Sequence, residues 1–262
     1  MFRIRKQINN FQITLGTALI LNIFNLGKED ILKMHKICLS DLPTRCFVNP
    51  QLKHSIDGSV IIHEETYESL HKGDGLFKLS LNPMGNPSKS KIDLVIGHVT
   101  RKLELFISYT SSKVIIGDRV QGRWTMGLWE RAECYIGDEC TSNGVSIECD
   151  RNSILSIDND CMFSSEIMLQ VGDMHSLIDA ETGIKINFKP SCLKIHKHCW
   201  IGRRASIMVS SKIIEIGQNT CVGMCSVVTS SLPSGVVAAG NPARVLRSGV
   251  VWSREGNNLL ID

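Results

Sequence analysis

From Ile92 onward the chain returns to an aliphatic residue followed by glycine at a fixed interval. Ile96-Gly97, Ile116-Gly117 and Ile136-Gly137 lie twenty residues apart, Ile157-Asp158 follows at twenty-one, and Ile201-Gly202, Ile216-Gly217 and Val222-Gly223 extend the series. A finer step of six runs inside it, through Ile157, Phe163 and Leu169 and again through Ile195, Ile201, Ile207 and Ile213. Four positions after the aliphatic residue stands a small or apolar one: Cys140 after Ile136, Cys161 after Ile157, Cys199 after Ile195, Ala205 after Ile201, Ser211 after Ile207, Thr220 after Ile216 and Ser226 after Val222. A step of six does not fit the 3.6-residue period of a helical face. It fits a triangular parallel β-helix, in which six residues make one flat side with its turn and three sides close a coil of about eighteen.

In such a coil the aliphatic residue fills the interior, the small residue packs near a corner where volume is short, and glycine relieves the backbone at the turns. Stacked coils satisfy their N–H and C=O groups along the axis. Aromatics are 6% of the residues against 43% apolar, so aliphatic and small side chains must fill the core. The ten cysteines include no CxxC pair, which excludes zinc-ribbon and thioredoxin-like chemistry. Cys140, Cys161 and Cys199 are expected as corner fillers, and the cysteines in general as reduced thiols of a cytoplasmic protein.

The net charge of +3 from 29 basic and 26 acidic residues is uninformative as a total, but its distribution is not even. No acidic residue occurs between Glu181 and Glu215, where Lys185, Lys189, Lys194, Lys197, Arg203, Arg204 and Lys212 stand with His196 and His198. Such a run is either a solvated basic face or an attractor of anions.

Residues 1–91 show no repeat and no assignable chemistry. Arg3, Arg5 and Lys6 precede an apolar stretch, Ile13 to Leu26, which Thr14, Thr17, Asn22 and Asn25 interrupt. It falls short of the roughly 20 residues a spanning helix needs, so a buried strand or helix is expected there rather than a signal or anchor. A helix is also expected from Lys28 to Lys36. The turn-rich run Leu81 to Ser88, with Pro83 and Pro87, is the expected boundary between an N-terminal region (1–91) and a β-helix domain (92–247), followed by a tail (248–262). The repeat breaks once, between Leu169 and Ile195, and the loop 170–194 holds polar and charged residues. Loops that leave a rigid scaffold are where function concentrates.

The segment from about 92 to 247 resembles the hexapeptide-repeat acyltransferases. His198-Cys199-Trp200-Ile201-Gly202-Arg203 is similar to their xVWIGx block, and Val222-Gly223-Met224-Cys225-Ser226-Val227-Val228-Thr229 to their IGAGSVVT block. Gly240-Asn241-Pro242-Ala243-Arg244-Val245-Leu246-Arg247 matches the family's G-N-P-A-[KR]-V-[IL]-[KR] tail. Gly172-Asp173-Met174-His175-Ser176-Leu177-Ile178-Asp179 resembles the D-x-H-S-[IL]-x-D signature of bacterial capsule and surface-polysaccharide O-acetyltransferases, the polysialic acid O-acetyltransferases among them. Two positions depart: Cys225 replaces a usual glycine, and Val209-Ser210-Ser211 lacks the common Pro-Gly turn.

The resemblance implies an all-β, left-handed parallel β-helix assembled as a homotrimer, with acetyl-coenzyme A in the groove between neighbouring subunits and no acyl-enzyme. It makes His175 the general base and Trp200 the aromatic at the acetyl end of the groove. Gly202, Gly223, Arg244 and Arg247 fall where the coenzyme would lie, and the arginines suit its phosphates. The acceptor would be a sugar hydroxyl of a bacterial capsular or surface polysaccharide, sialic-acid-containing chains included, met by Asp173, Ser176, Asp179 and Lys185. A hydroxyl needs a base poised near neutral pH within hydrogen-bond reach, and imidazole supplies one. Asp173, Asp179 or a backbone carbonyl would orient it, and backbone N–H groups or the Trp200 indole would hold the oxyanion. No metal, nucleic acid or integral membrane segment is expected, and the expected location is the cytoplasm, free or at the inner face of the membrane. The other readings are transfer to a small acceptor (serine, an antibiotic or a nucleotide sugar), a γ-carbonic-anhydrase-like zinc site on His196 and His198, and a non-enzymatic β-helix scaffold.

Overall fold

The computed structural model describes residues 33–54, 57–86 and 89–255. The chain divides into a unit of residues 1–33, of which only Lys33 is described, and a unit from Met34 to Asp262. The apolar stretch Ile13 to Leu26 lies outside the described residues. The described part of the second unit is a left-handed parallel β-helix.

Each full coil has three sides. Side A takes one strand per coil: Asp57–His63, Lys91–Ile96, Ser111–Ile116, Ala132–Ile136, Ile154–Ile157, Cys192–Ile195 and Ile213–Ile216, paired in parallel. The second sheet bends into the other two sides. The long strand Thr141–Cys149 pairs through its first residues with Met162–Phe163 (side B) and through its last with Ile167–Val171 (side C). Side B continues with Trp200–Ile201 and Cys221–Val222, and side C with Ser206–Val209 and Val227–Val228.

The inward rows are the ones the six-residue step picks out: Ile157, Phe163, Leu169, Ile195, Ile201 and Ile207 are all buried. At the corner after side A, Cys140, Cys161, Cys199 and Thr220 are buried one above another. The Sγ atoms of Cys140 and Cys161 lie 3.2 Å from the carbonyl oxygens of Asp158 and His196 in the next coil, and that of Cys199 lies 3.1 Å from Gly217 O. A buried thiol here is a small apolar filler whose weak donor is satisfied. The glycine of each Ile-Gly pair makes room for the coil beside it. A Cβ on Gly117 would sit 2.3 Å from Asp138 Oδ1, the atom that accepts the Asp118 N–H at 2.8 Å. Gly97 stands to Asp118, and Gly137 to Asn159, in the same way. The twenty-residue recurrence is therefore the distance along the chain from one coil to the next.

Three expectations are corrected. Ile213 is 65% exposed, and Ile214 takes the inward place. The corner Ser210–Lys212 takes one residue more than the six-step allows, with Ser211 at φ +49°, and a one-residue slip reverses every face. Ser211 accordingly belongs to the turn and not to the interior. The helix expected over Lys28–Lys36 is absent where it can be described: Met34–Cys38 is a strand, antiparallel to Asp57–His63. It covers the outer edge of side A, which would otherwise present unpaired backbone groups. Stacking also begins upstream of Ile92. Asp57–His63 pairs with Lys91–Ile96 and Phe77–Pro83 with Leu103–Tyr109, on either side of the turn-rich run. Only the sequence periodicity starts near Ile92.

The first described coil carries the α-helix Glu64–Lys72, which ends at Gly73 in the left-handed region at φ +68°. At the other end, Val236–Gly240 turns back into an antiparallel pair with Ala243–Ser248 and closes the stack. The tail then returns along the corner between sides A and B, where Trp252 stacks on His198 at 4.3 Å and Arg254 bonds Asp160 Oδ1 at 2.7 Å. No described helix is long and apolar enough to cross a membrane.

Candidate functional site

The chain leaves the prism at the corner between sides C and A. Gly172 makes the exit at φ +112°, where a Cβ would lie 2.2 Å from Asp150 Cβ, so only glycine fits. Met174 follows at φ +60°, a left-handed conformation that costs a residue with a Cβ about 1–2 kcal/mol. Asp173, between them, ties the loop down: its Oδ2 accepts from Ser210 Oγ of the next coil at 2.6 Å and from Asn187 Nδ2 at 2.8 Å. Asn187 also donates to His175 O at 2.7 Å and accepts the Leu177 N–H at 2.8 Å. Ile178 and Lys185 form an antiparallel bridge farther out. The loop is thus a short hairpin whose base is bonded to the prism.

His175 is exposed, and its backbone is held at both ends, the N–H donating to Asp173 O at 2.7 Å. Its imidazole has no hydrogen-bond partner among the described residues. It opens on a cleft of about 430 Å³, whose walls include Trp129, Arg151, Ser176, Lys185 and Phe188. Neither Asp173 nor Asp179 is bonded to the ring. Asp179 closes the hairpin turn by accepting from the Thr182 N–H and Oγ–H, both at 2.8 Å, and from the Glu181 N–H at 3.1 Å. The Thr182 and Glu181 donors hold its carboxyl below the usual carboxylate range.

Trp200 lies on side B, 42% exposed, with its ring 6.0 Å from Trp252. Side B is the side opposite the corner between C and A, so one chain does not bring Trp200 and His175 together. Gly202 and Gly223 are glycines for reasons of stacking: a Cβ on Gly202 would lie 2.7 Å from Val222 O, and one on Gly223 2.8 Å from Ala239 Cβ. Arg244 and Arg247 are exposed on the closing hairpin, and no acid pairs with either among the described residues. Arg244 donates to its neighbour Ala243 O at 2.9 Å.

The run without acids is not free of acids in space. Glu166 accepts from Arg203 Nε at 3.1 Å and from Arg204 Nε at 2.6 Å. His196 lies between Asp158 at 3.4 Å and Glu215 at 2.9 Å, and His198 between Asp160 Oδ2 at 2.5 Å and Trp252 O at 2.8 Å. Both histidines are coil-to-coil connectors, and their rings are engaged by separate partners. No cluster of three metal-binding side chains occurs among the described residues. Lys185 and Lys189 remain as cations of the cleft.

No protein-family model matches the chain. It is similar to the polysialic acid O-acetyltransferase of Escherichia coli O1:K1 / APEC, 28% identical over 155 residues that make up 59% of this chain and 43% of that protein. It is also similar to the galactoside O-acetyltransferase of Escherichia coli strain K12, 42% identical over 55 residues, 21% of this chain and 26% of that one. Its relatives are sugar O-acetyltransferases. The chain spans less than half the length of either relative. The fold is that of the crystal structure of the polySia-specific acetyltransferase NeuO, with a TM-score of 0.59 at 22% identity, covering 78% of this chain and 91% of that one.

Four residues of the site carry no signal in the repeat pattern: Trp129, Arg151, Asn187 and Ser210. Asn187 takes a polar place in the alternation Ile184, Lys185, Ile186, Asn187, Phe188, as any polar residue could. The other three reach the loop only through stacking of coils.

Proposed function

We propose that the protein transfers an acetyl group from acetyl-coenzyme A to a hydroxyl of a bacterial capsular or surface polysaccharide, with His175 as general base. The observation that carries this reading is the unengaged imidazole of His175, held over a cleft by a bonded loop, in a chain whose relatives are sugar O-acetyltransferases. His175 takes the acceptor hydroxyl proton as that oxygen forms its bond to the acetyl carbon. As the carbon–sulfur bond breaks, the imidazolium returns the proton to the leaving thiolate, and no acyl-enzyme is needed. Acetyl-coenzyme A, when bound, supplies the activated acetyl thioester. The exposed Trp200 indole suits its acyl end, and the acid-free Arg244 and Arg247 suit its phosphates.

A site that uses both His175 and Trp200 needs two chains, because they lie on opposite parts of one prism. A homotrimer, with each site shared by two neighbouring chains, meets that need. The loop fits it: Leu177, Ile178, Ile184, Ile186 and Phe188 are exposed apolar side chains that a neighbouring subunit would cover. The buried, unpaired thiols fit a cytoplasmic enzyme.

The test is thiol release from acetyl-coenzyme A in the presence of capsular saccharide. His175→Ala should lower kcat by about 10²- to 10⁴-fold, the usual contribution of a general base. A wild-type rate in that variant removes His175 from the mechanism. Mixed oligomers of His175→Ala and Trp200→Ala chains should regain part of the activity. If they regain none while each variant still assembles, the two-chain site is wrong.

A further inference from the structure

After the closing hairpin the chain doubles back along the stack. Gly249 turns it at φ +71°, and the Val250 N–H donates to Gly235 O at 3.0 Å. Residues 250–255 then lie as a strap on the corner between sides A and B, and Trp252 is the one buried residue of the strap. Its ring stacks on His198 at 4.3 Å with 14° between the planes. Its Nε1–H donates to His198 O at 2.7 Å, and its own carbonyl oxygen meets His198 Nε2 at 2.8 Å. Arg254 fastens the strap to the two coils below. Its Nε donates to Asp160 Oδ1 at 2.7 Å, Nη1 to Thr141 Oγ1 at 2.9 Å and Nη2 to Cys161 O at 3.2 Å. The guanidinium also lies 5.7 Å from the Trp252 ring centre. A ring stacked on one residue, bonded to it twice and anchored beyond has a fixed orientation.

Trp200 has no such hold of its own. It stands outward on the two-residue strand Trp200–Ile201, between Met162 and Cys221 of the adjoining coils. An outward side chain has several staggered positions open to it until a neighbour excludes them. A flexible thioether and a small thiol exclude little. Among the described residues the one ring beside it is Trp252, with centroids 6.0 Å apart and planes at 44°, inside the range of roughly 4.5–7 Å at which aromatic pairs attract. The Trp252 indole N–H is engaged, whereas that of Trp200 has no hydrogen-bond partner among the described residues. The rigid ring lies at the corner, and the ring open to solvent is set against it.

We infer that Trp252 is a positioning residue of the donor site. Clasped by the strap, it holds the Trp200 indole in one orientation and walls the flank of side B next to the corner. The Trp200 N–H is left free for the acyl thioester. The inference rests on the reading of Trp200 as the aromatic at the acyl end, and adds to it what fixes that ring. The strap reaches Trp200 through Trp252, so cutting it at Arg254 acts on the donor in the same sense and more weakly.

The test labels the full chain with fluorotryptophan. Its four tryptophans, Trp124, Trp129, Trp200 and Trp252, give four fluorine resonances, assigned by Trp→Phe variants. In Trp252→Ala the Trp200 resonance should shift while that of Trp124, in the core, stays in place. KM for acetyl-coenzyme A should rise by up to about tenfold, the worth of one aromatic contact, with a smaller change in kcat. KM for the saccharide should hardly change. Trp252→Phe, which keeps a ring against Trp200, should restore most of the donor affinity, and Arg254→Gln should move the same quantities less. A Trp252→Ala protein with the wild-type Trp200 resonance and the wild-type KM for acetyl-coenzyme A overturns the inference and leaves the donor reading standing. If both KM values rise alike and the Trp124 resonance moves too, the strap is a general clasp on the stack, which also overturns it. Should acetyl-coenzyme A added to the wild-type protein shift neither Trp200 nor Trp252, the donor reading itself fails and the inference falls with it.

Discussion

Removing the Asn187 amide should release His175 without unfolding the prism. Asn187 makes three bonds to the loop base: to Asp173 Oδ2 at 2.8 Å, to His175 O at 2.7 Å and from Leu177 N at 2.8 Å. The first reaches a carboxylate, and the other two are solvent-exposed. With about 1.5 kcal/mol for the first and somewhat under 1 kcal/mol for each of the others, the set contributes about 3 kcal/mol to holding the loop. Asn187→Ala therefore lowers kcat by up to about 100-fold, since about 1.4 kcal/mol corresponds to tenfold. The thermal midpoint should barely move, because the core ladder is untouched. Asn187→Asp should be worse than Asn187→Ala, as it sets a second carboxylate against Asp173. The measurements are kcat and KM for acetyl transfer, the melting curve, and hydrogen exchange at the Leu177 amide. An Asn187→Ala enzyme with wild-type kcat and unchanged protection at Leu177 would refute the positioning role.

The corrected register gives a paired prediction. Ile214→Ala should cost about 2–5 kcal/mol in chemical denaturation, as for a buried isoleucine, and Ile213→Ala less than about 0.5 kcal/mol; the reverse order would restore the six-step reading. The thiols give another. Cys38 and Cys225 are exposed and should react with a thiol reagent in the native protein, whereas Cys46, Cys134, Cys140, Cys149, Cys161 and Cys199 are buried and should react only on unfolding. Burial pushes the Cys46 thiol up to about 11 and Cys134 to about 12, from an ordinary 9.0. An acid whose folded pKa is raised stabilises the fold below its unfolded pKa and loses that contribution as pH rises through the folded one. Stability should therefore fall between pH 9 and 12, and a flat profile there would contradict the burial of these thiols.

The inward rows were legible because the backbone leaves them little freedom. A flat side admits only alternate faces, so Ile157, Phe163 and Leu169, and Ile195, Ile201 and Ile207, follow from counting alone. Counting failed at Ile213 because corners are not bound by a ladder and tolerate an extra residue. It failed at Lys28–Lys36 because strand Met34–Cys38 exists to cover an edge, and an edge is a property of the assembled sheet. The acid-free run misled for a related reason. Along a β-helix the spatial neighbour of a residue is about one coil away in sequence, so Arg203 and Arg204 meet Glu166, and His198 meets Asp160. His175 could be read because it stands in the one place where the repeat is broken. Trp129 and Arg151 could not, because they look like any other corner until the loop is stacked over them.

The position of that break is itself constrained. An insertion within a side would sever the hydrogen bonds that hold two neighbouring coils, whereas an insertion at a corner leaves both ladders intact. Ile167–Val171 still pairs with Thr141–Cys149 below and Ser206–Val209 above, and Cys192–Ile195 with Ile154–Ile157 and Ile213–Ile216. A polar loop can therefore be added there at little cost to the core. Its geometry must then come from its own bonds, which is why Asp173 and Asn187 are spent on the base and not on the imidazole. Because the loop stands at a corner, the surface it overlies is the column of corners beside it, with Arg151 and Trp129 in the wall of the cleft.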